Sequence, residues 1–287
     1  MLDLVGENKV NKTYDELLNK IKILEERLKL QEMLLLNISH DLRNPINIIL
    51  SIIQCMDYND NNNIDERTSK EKEYLNLIKR NSYKMIKLID NLIDTTKLEG
   101  NYYKLNISNV DIVSLVEATV TSIDEYAEQK KLQLVFDTNV EECIVGVDGQ
   151  AIDRIVMNLL SNAIKVSPKE SQILIDIFAD DKNIKISVTD KGPGIPIKEQ
   201  KLIFNRFAQS SNNKKQGYSG SGIGLDLVNY LTKAHNGFVT LVSNEGKGAK
   251  FIITLPKTKL DTENKDCEFI KKDKVQQLEI EFSDIYL

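Results

Sequence analysis

Apolar residues return at every seventh position along the first part of the chain, at Ile21, Leu28, Leu35, Leu42, Ile49 and Met56. A second stripe three residues on reads Leu24, Gln31, Ile38, Pro45 and Ile52, mostly apolar but interrupted. A seven-residue repeat marks a helix that packs along a narrow seam. It predicts a long packed helix from about Tyr14 to Met56, bent near Pro45, whose ring removes a helical N–H. The polar run DYNDNNNIDERTS, residues 57–69, reads as a loop because Asn and Asp favour turns over helix interiors. Beyond it Leu75, Ile78, Ser82, Met85, Ile89, Leu92 and Thr96 alternate at spacings of three and four. That predicts a second helix, stopped at Gly100. A lone antiparallel hairpin cannot bury both stripes, so the pattern predicts a homodimer closed as a four-helix bundle.

After Gly100 the period changes to two, at Ile173, Ile175 and Ile177, at Ile184, Ile186 and Val188, and at Phe251, Ile253 and Leu255. Strands of this kind between helical runs predict a second, α/β domain. A last short alternation, Leu278, Ile280 and Phe282, reads as an added strand. The expected fold class is α+β: a helical hairpin that dimerises into a four-helix bundle, followed by an α/β sandwich. The boundaries predicted are a helical lead-in or coiled coil over 1–36, the hairpin domain over 37–100, the α/β domain over 101–258 and a tail over 259–287.

Charge and composition narrow the partners. With 38 basic and 43 acidic residues and a net charge of -5, the chain has no basic excess to attract nucleic acid. The longest uncharged apolar stretch, Asn44 to Met56, holds Pro45, Asn47, Ser51 and Gln54 and is too short to cross a bilayer, so no membrane span is expected. The opening MLDLVGENKVNK lacks the apolar core of a secretory signal. Cys55, Cys143 and Cys267 are odd in number and widely separated, which suggests neither a disulfide framework nor a thiolate metal site and fits a reducing cytoplasm.

Chemistry concentrates in a few places. Counting from Leu35 and Leu42, His40 takes an outward heptad position. An imidazole there is accessible and largely neutral, with one ring nitrogen free to act as nucleophile. Asp41 can accept the proton of the other nitrogen. Asn44, four residues on, shares the exposed face at about 6 Å, where an amide can hold a water. An isolated surface histidine is usually inert, and the surrounding residues decide the matter here.

In DRIVMNLLSNAIKVS, residues 153–167, Asn158, Asn162 and Lys165 share one helical face. Amide oxygens suit a hard cation and a lysine suits phosphate, although a solvated polar face fits the same spacing. Asp190 closes a predicted strand and is followed by Gly192 and Gly194, where backbone can approach a ligand closely. Gly217, Gly220, Gly222 and Gly224 precede the helical run IGLDLVNYLTKAH, an anion-binding arrangement. Each glycine cluster alone is a weak signal.

Taken together these segments resemble the histidine kinases. Ser39-His40-Asp41-Leu42-Arg43-Asn44-Pro45-Ile46 is similar to the H box of that family, S-H-E/D-L-R-T/N-P-L. The later segments resemble, in order, the N box, the first glycine box, the F box (Phe204-Asn205-Arg206-Phe207) and the second glycine box. The resemblance covers roughly Leu36 to Pro256. It implies a HisKA-type dimerisation and phosphoacceptor domain followed by a Bergerat-fold ATP-binding domain, in a cytoplasmic sensor histidine kinase of a two-component system. Such an enzyme uses ATP and Mg²⁺ to phosphorylate His40 and passes the phosphate to an aspartate in a response regulator's receiver domain. By the same resemblance Asn162 holds Mg²⁺, Asn158 and Lys165 contact phosphates, and Asp190 reads adenine. Gly192 and Gly194 shape the adenine pocket, Gly220, Gly222 and Gly224 close over the triphosphate, and Asn44 serves a phosphatase activity. His235 is expected to be structural. Val166 departs from the aromatic common after the N-box lysine, and Lys191 from the Asn common in the first glycine box. Two other readings stay open: a gyrase-, chaperone- or mismatch-repair-type ATPase, opposed by the H and F boxes, and an inactive dimeric scaffold, opposed by Asn162, Asp190 and the glycines.

Overall fold

A computed structural model describes residues 17–22, 25, 39, 41–56, 64–99, 104–205, 208, 210–212, 222–261 and 274–283. The chain divides into two compact units, Met1–Leu88 and Ile89–Leu287.

The first unit is helical. Helix α1 runs unbroken over residues 41–56, with Pro45 and Ile52 buried and Leu42, Ile49 and Met56 half-buried. These are the two predicted stripes, and Asp41, Arg43 and Asn44 face outward as exposed residues. Helix α2 spans Ile64–Glu99 and stops at the residue before Gly100, as expected. It begins earlier than predicted, within the polar run read as a loop. The turn-forming Asn and Asp residues are concentrated at 57–63, whereas Glu66, Arg67 and Lys70 lose little freedom in a helix. Buried Asn81 donates its amide to the Leu77 carbonyl at 2.8 Å, which satisfies it within α2. Ile46, Ile48, Leu50, Ile53 and Leu75 remain 43–57% exposed in the single chain.

The second unit starts with strand β1 (Ser108–Asp111) and helix α3 (Ile112–Gln129), then β2 (Gln133–Thr138), β3 (Ile144–Val147) and helix α4 (Gly149–Val166). Strands β4 (Gln172–Ala179) and β5 (Asn183–Asp190), helix α5 (Gly224–Ala234), strands β6 (Phe238–Ser243) and β7 (Ala249–Pro256) and helix α6 (Lys274–Glu281) complete it. The order β2-β4-β5-β7-β6 makes a five-stranded sheet in which only the β2–β4 pair is parallel, while β1 and β3 form a separate antiparallel pair. The predicted strand residues lie side by side on the inner face. Ile177 pairs with Ile186, Ile186 with Ile253, and all three are buried. Against that face α3, α4 and α5 set their apolar stripes, so the unit is an α/β sandwich.

Both α3 and α4 follow a strand directly through an Asp cap. The Asp111 carboxylate accepts from the Val113, Ser114 and Cys143 amides. Burial works against its charge, yet these bonds and one from the Ser114 hydroxyl hold the carboxyl below its ordinary range. Asp148 caps α4 by accepting from the Ala151 amide at 3.1 Å. At the other end of α4, Lys130 donates to the Ile164 and Lys165 carbonyls at 2.6 and 2.7 Å, satisfying groups that a helix end leaves open. The predicted strand around Leu278, Ile280 and Phe282 is instead helical. Its Leu278 and Phe282 are buried four residues apart in and just after α6, because three alternating apolar residues fit one helix turn as readily as a short strand.

Candidate functional site

The nucleotide-site residues anticipated in sequence come from three elements of the second unit. α4 carries Asn158, Asn162 and Lys165, all half-buried. The Asn158 amide nitrogen donates to the Arg154 carbonyl at 2.9 Å, which fixes the side chain along the helix. Its oxygen then meets the start of α5, where a Cβ added to Gly224 would lie 2.6 Å from Asn158 Oδ1. Only glycine permits that approach. No residue described here hydrogen-bonds the Asn162 side chain, which leaves its oxygen available to a cation. Helix α5 begins at Gly224, preceded by Gly222 at φ 69°, and among the described residues no side chain caps its first N–H groups, the kind of helix start that suits an anion.

The third element is the end of β5. Asp190 is 6% exposed, and its Oδ1 accepts from the Gly192 amide at 2.8 Å and the Ala249 amide at 3.3 Å. Burial pushes its carboxyl up to about 6, against the pull of those two amides. With Oδ1 engaged twice, Oδ2 is the oxygen left to accept from a ligand amine. A Cβ on Gly192 would press on Val166 at 2.6 Å, so the glycine and the small side chain at 166 share the same space. Gly194 adopts φ 67°, and a side chain there would overlap the Asn244 carbonyl.

Gly248, with φ 77°, was not among the candidates in sequence. Its Cβ position falls on the Asp190 carbonyl oxygen. It delivers the Ala249 amide to Asp190, and the run Asn244-Glu245-Gly246-Lys247-Gly248 was the signal available. Ser243 supports the same turn by accepting from the Ile195 amide at 2.9 Å and donating to the Gly248 carbonyl at 2.7 Å. In the F box, Phe204 packs edge-on against Phe251 of β7, with centroids 6.3 Å apart.

His235 is buried and structural in placement. Its Nδ1 pairs with the Leu231 carbonyl at 2.7 Å and its Nε2 accepts from the Asp148 amide at 3.0 Å, so the partners select the Nδ1–H tautomer. It thereby joins the end of α5 to the start of α4. In the first unit Asp41 and Asn44 are exposed on α1. His40 and Gly220 lie outside the described residues, as do Gly217, Arg206 and Phe207. Among the described residues no cluster of three or more His, Cys, Asp or Glu side chains is placed to hold a metal. No described helix is long and apolar enough to cross a membrane.

A helical pair followed in the chain by an α/β sandwich with this set of polar side chains and glycines is the arrangement of the histidine kinases and related ATPases. Residues 30–101 match the family described as the His Kinase A (phospho-acceptor) domain, and residues 147–259 match the Histidine kinase-, DNA gyrase B-, and HSP90-like ATPase family. The chain belongs to the histidine kinase family and carries both of its domains. Over 259 residues it is 28% identical to hybrid signal transduction histidine kinase D of Dictyostelium discoideum, covering 88% of this chain and 16% of that protein. Sensor histidine kinase YcbM of Bacillus subtilis is 28% identical over 222 residues, covering 77% of this chain and 70% of YcbM. The chain spans 16 to 43% of the length of five curated relatives that it matches. In fold it is similar to histidine kinase ThkA, solved in complex with response regulator protein TrrA, with a TM-score of 0.61 and 22% identity over 82% of this chain and 64% of that one.

Proposed function

We propose that the chain is the catalytic part of a two-component sensor histidine kinase, which phosphorylates His40 from Mg²⁺-ATP and hands the phosphate to an aspartate of a response regulator. The observation that carries this reading is Asp190: a buried carboxylate with one oxygen held by two backbone amides and the other left for an amine, as adenine recognition requires. Asn158 and the open N–H groups of α5 would hold phosphate, with Lys165 as a point charge beside them. Asn162 fits Mg²⁺, which takes one or two protein oxygens and completes its shell with phosphate and water. Held there, the ion would supply charge to offset the negative charge developing on the leaving ADP.

In the transfer, the lone pair of a His40 ring nitrogen forms the N–P bond as the bond from the γ-phosphorus to the bridging oxygen breaks, and ADP leaves with that electron pair. Asp41 takes the proton from the opposite nitrogen. Most of the acceleration is positioning and charge stabilisation, as for phosphoryl transfer generally. Exposed apolar residues on the hairpin, Ile46, Ile48, Leu50, Ile53 and Leu75, support a homodimer that buries them in a four-helix bundle. The solved pairing of ThkA with a response regulator supports the same class of partner here. The chain would work in the cytoplasm, where ATP and regulator reside. Asn44, exposed on the helical turn after His40, supports a phosphatase role, holding water in line with the regulator's aspartyl phosphate.

Incubation with γ-labelled ATP and Mg²⁺ tests the reading. Acid-labile, base-stable label on wild type, lost in His40→Gln with nucleotide binding retained, is the expected result. Label that persists in His40→Gln removes His40 as the acceptor, release of phosphate without labelling indicates an ordinary ATPase, and neither reaction indicates a scaffold.

A further inference from the structure

The C-terminal helix α6 lies beyond both family matches, the later of which stops at residue 259. Even so, Leu278 and Phe282 belong to the same apolar cluster as α3 and α4. Phe282 has no exposed surface, and its ring stacks on Tyr126 of α3 with centroids 4.9 Å apart and planes 26° apart. α6 also packs on α4. The turn that follows is tightly closed: the Phe282 amide donates to the Leu278 carbonyl at 2.9 Å, the Ser283 hydroxyl to the Ile280 carbonyl at 2.8 Å, and Ser283 is itself buried.

The seat of this tail is connected to the nucleotide residues. Buried Thr119 of α3 donates to Asp153 of α4, locking the two helices together. The next residue, Arg154, is half-buried; burial disfavours its charge, and the carboxylates of Glu281 on α6 and Asp90 on α2 support it. Arg154 is also the residue whose carbonyl holds the Asn158 amide, one turn before Asn162. α6 therefore meets α4 around the turn that orients Asn158.

We propose that residues 274–283 form an in-cis clasp: by seating Leu278 and Phe282 across α3 and α4 they hold α4 in its nucleotide-binding conformation, so that tail docking and nucleotide binding favour each other. The proposal rests on the nucleotide-binding reading above. Coupling of this kind is reciprocal, and it makes the tail a handle through which anything that captures the segment lowers the kinase's affinity for ATP.

The test uses the full chain as wild type, Phe282→Ala and Phe282→Leu, the last retaining apolar volume without ring stacking. Phe282→Ala is expected to lower Tm by about 5 °C or more, the cost of an emptied core site in a chain of this size. It should also weaken Mg²⁺-ATP binding roughly fivefold or more, with Phe282→Leu between it and wild type. Saturating Mg²⁺-ATP should slow hydrogen exchange at the Phe282 amide of wild type, which a tail that merely adds stability would not show. Should Phe282→Ala fail to fold, Phe282→Leu and the wild-type exchange decide. Wild-type affinity in Phe282→Leu, or exchange indifferent to nucleotide, overturns the clasp alone. A wild-type chain that binds no Mg²⁺-ATP overturns the nucleotide reading and the coupling with it.

Discussion

Replacing Asp190 by Asn should make the ligand-free protein more stable while removing its affinity for ATP. The Asp190 carboxyl is lifted from 3.8 to about 6 by burial. Each pH unit of displacement corresponds to ~1.4 kcal/mol, so holding this group ionised at neutral pH costs the fold roughly 3 kcal/mol. An Asn is the same shape and carries no charge. Its oxygen can still accept from the Gly192 and Ala249 amides, which donate to Oδ1 at 2.8 and 3.3 Å, so the turn survives. The NH₂ group then stands where Oδ2 stood. It offers a donor to the adenine amine, itself a donor, and leaves both unsatisfied at a buried position, at a cost of ~1–3 kcal/mol per unmet group.

Urea unfolding at a series of pH values measures the first effect. Because the native carboxyl holds its proton up to about 6 and the unfolded one only up to 3.8, the native state binds more protons in between. Wild-type stability should therefore rise as pH falls from about 7 toward 4, and this contribution is absent from Asp190→Asn. The advantage of the variant, up to roughly 3 kcal/mol near pH 8, should shrink through pH 6 and vanish near pH 4. A variant less stable than wild type at pH 8, or a difference that does not vary with pH, refutes the burial cost. Calorimetric titration with Mg²⁺-ATP measures the second effect, and wild-type affinity in the variant would refute the adenine assignment.

Asn162→Ala should lower Mg²⁺-ATP affinity tenfold or more, about 1.4 kcal/mol or above, with little change in Tm, since the amide holds no described neighbour; equal titrations exclude it as the metal residue. Gly224→Ala places a methyl 2.6 Å from Asn158 Oδ1, so the amide must swing away and nucleotide affinity should fall while the fold persists; unchanged affinity would separate Asn158 from the site. His235→Ala leaves the Asp148 amide without its partner and opens a cavity, and it should destabilise by about 2–4 kcal/mol, measured by urea unfolding with the ATP affinity per folded molecule preserved. Asn44→Ala should retain labelling of His40 but slow dephosphorylation of the cognate regulator, and equal rates would leave Asn44 no role in hydrolysis.

The elements were legible wherever a period repeated often enough. The heptad positions described on α1, Leu42, Ile49 and Met56, and seven residues spaced by three and four on α2 marked the hairpin helices, Leu28 and Leu35 lying outside the described residues, and three alternating apolar residues fell in each of β4, β5 and β7. Short or mixed signals failed. Leu278, Ile280 and Phe282 alternate over three residues just as the strand signals do, but the spacing of four between Leu278 and Phe282, which buries both in and just after α6, fits a helix equally well. At the start of α2 the polar residues 65–69 carried no spacing that separates helix from loop, since polar residues suit either.

The site was legible as an inventory and not as an assembly. Asp190, Asn158 and the glycines could be named because each residue type suits a ligand atom, but what fixes them comes from far along the chain. The Ala249 amide that holds Asp190 is 59 residues away, and the His235 ring that joins α5 to the cap of α4 is 87 residues from Asp148. Those meetings depend on the sheet order, in which β7 inserts beside β5 while α5 and β6 are passed over. Asp190 pairs with Ala249 at the last register position of that insertion, and a slip of one residue would turn the carboxylate to the opposite face of the sheet. Gly248 escaped notice for this reason. Its need for a bare backbone arises only where the Asp190 carbonyl comes against it; the run from Asn244 to Gly248 marks a turn but does not name that neighbour.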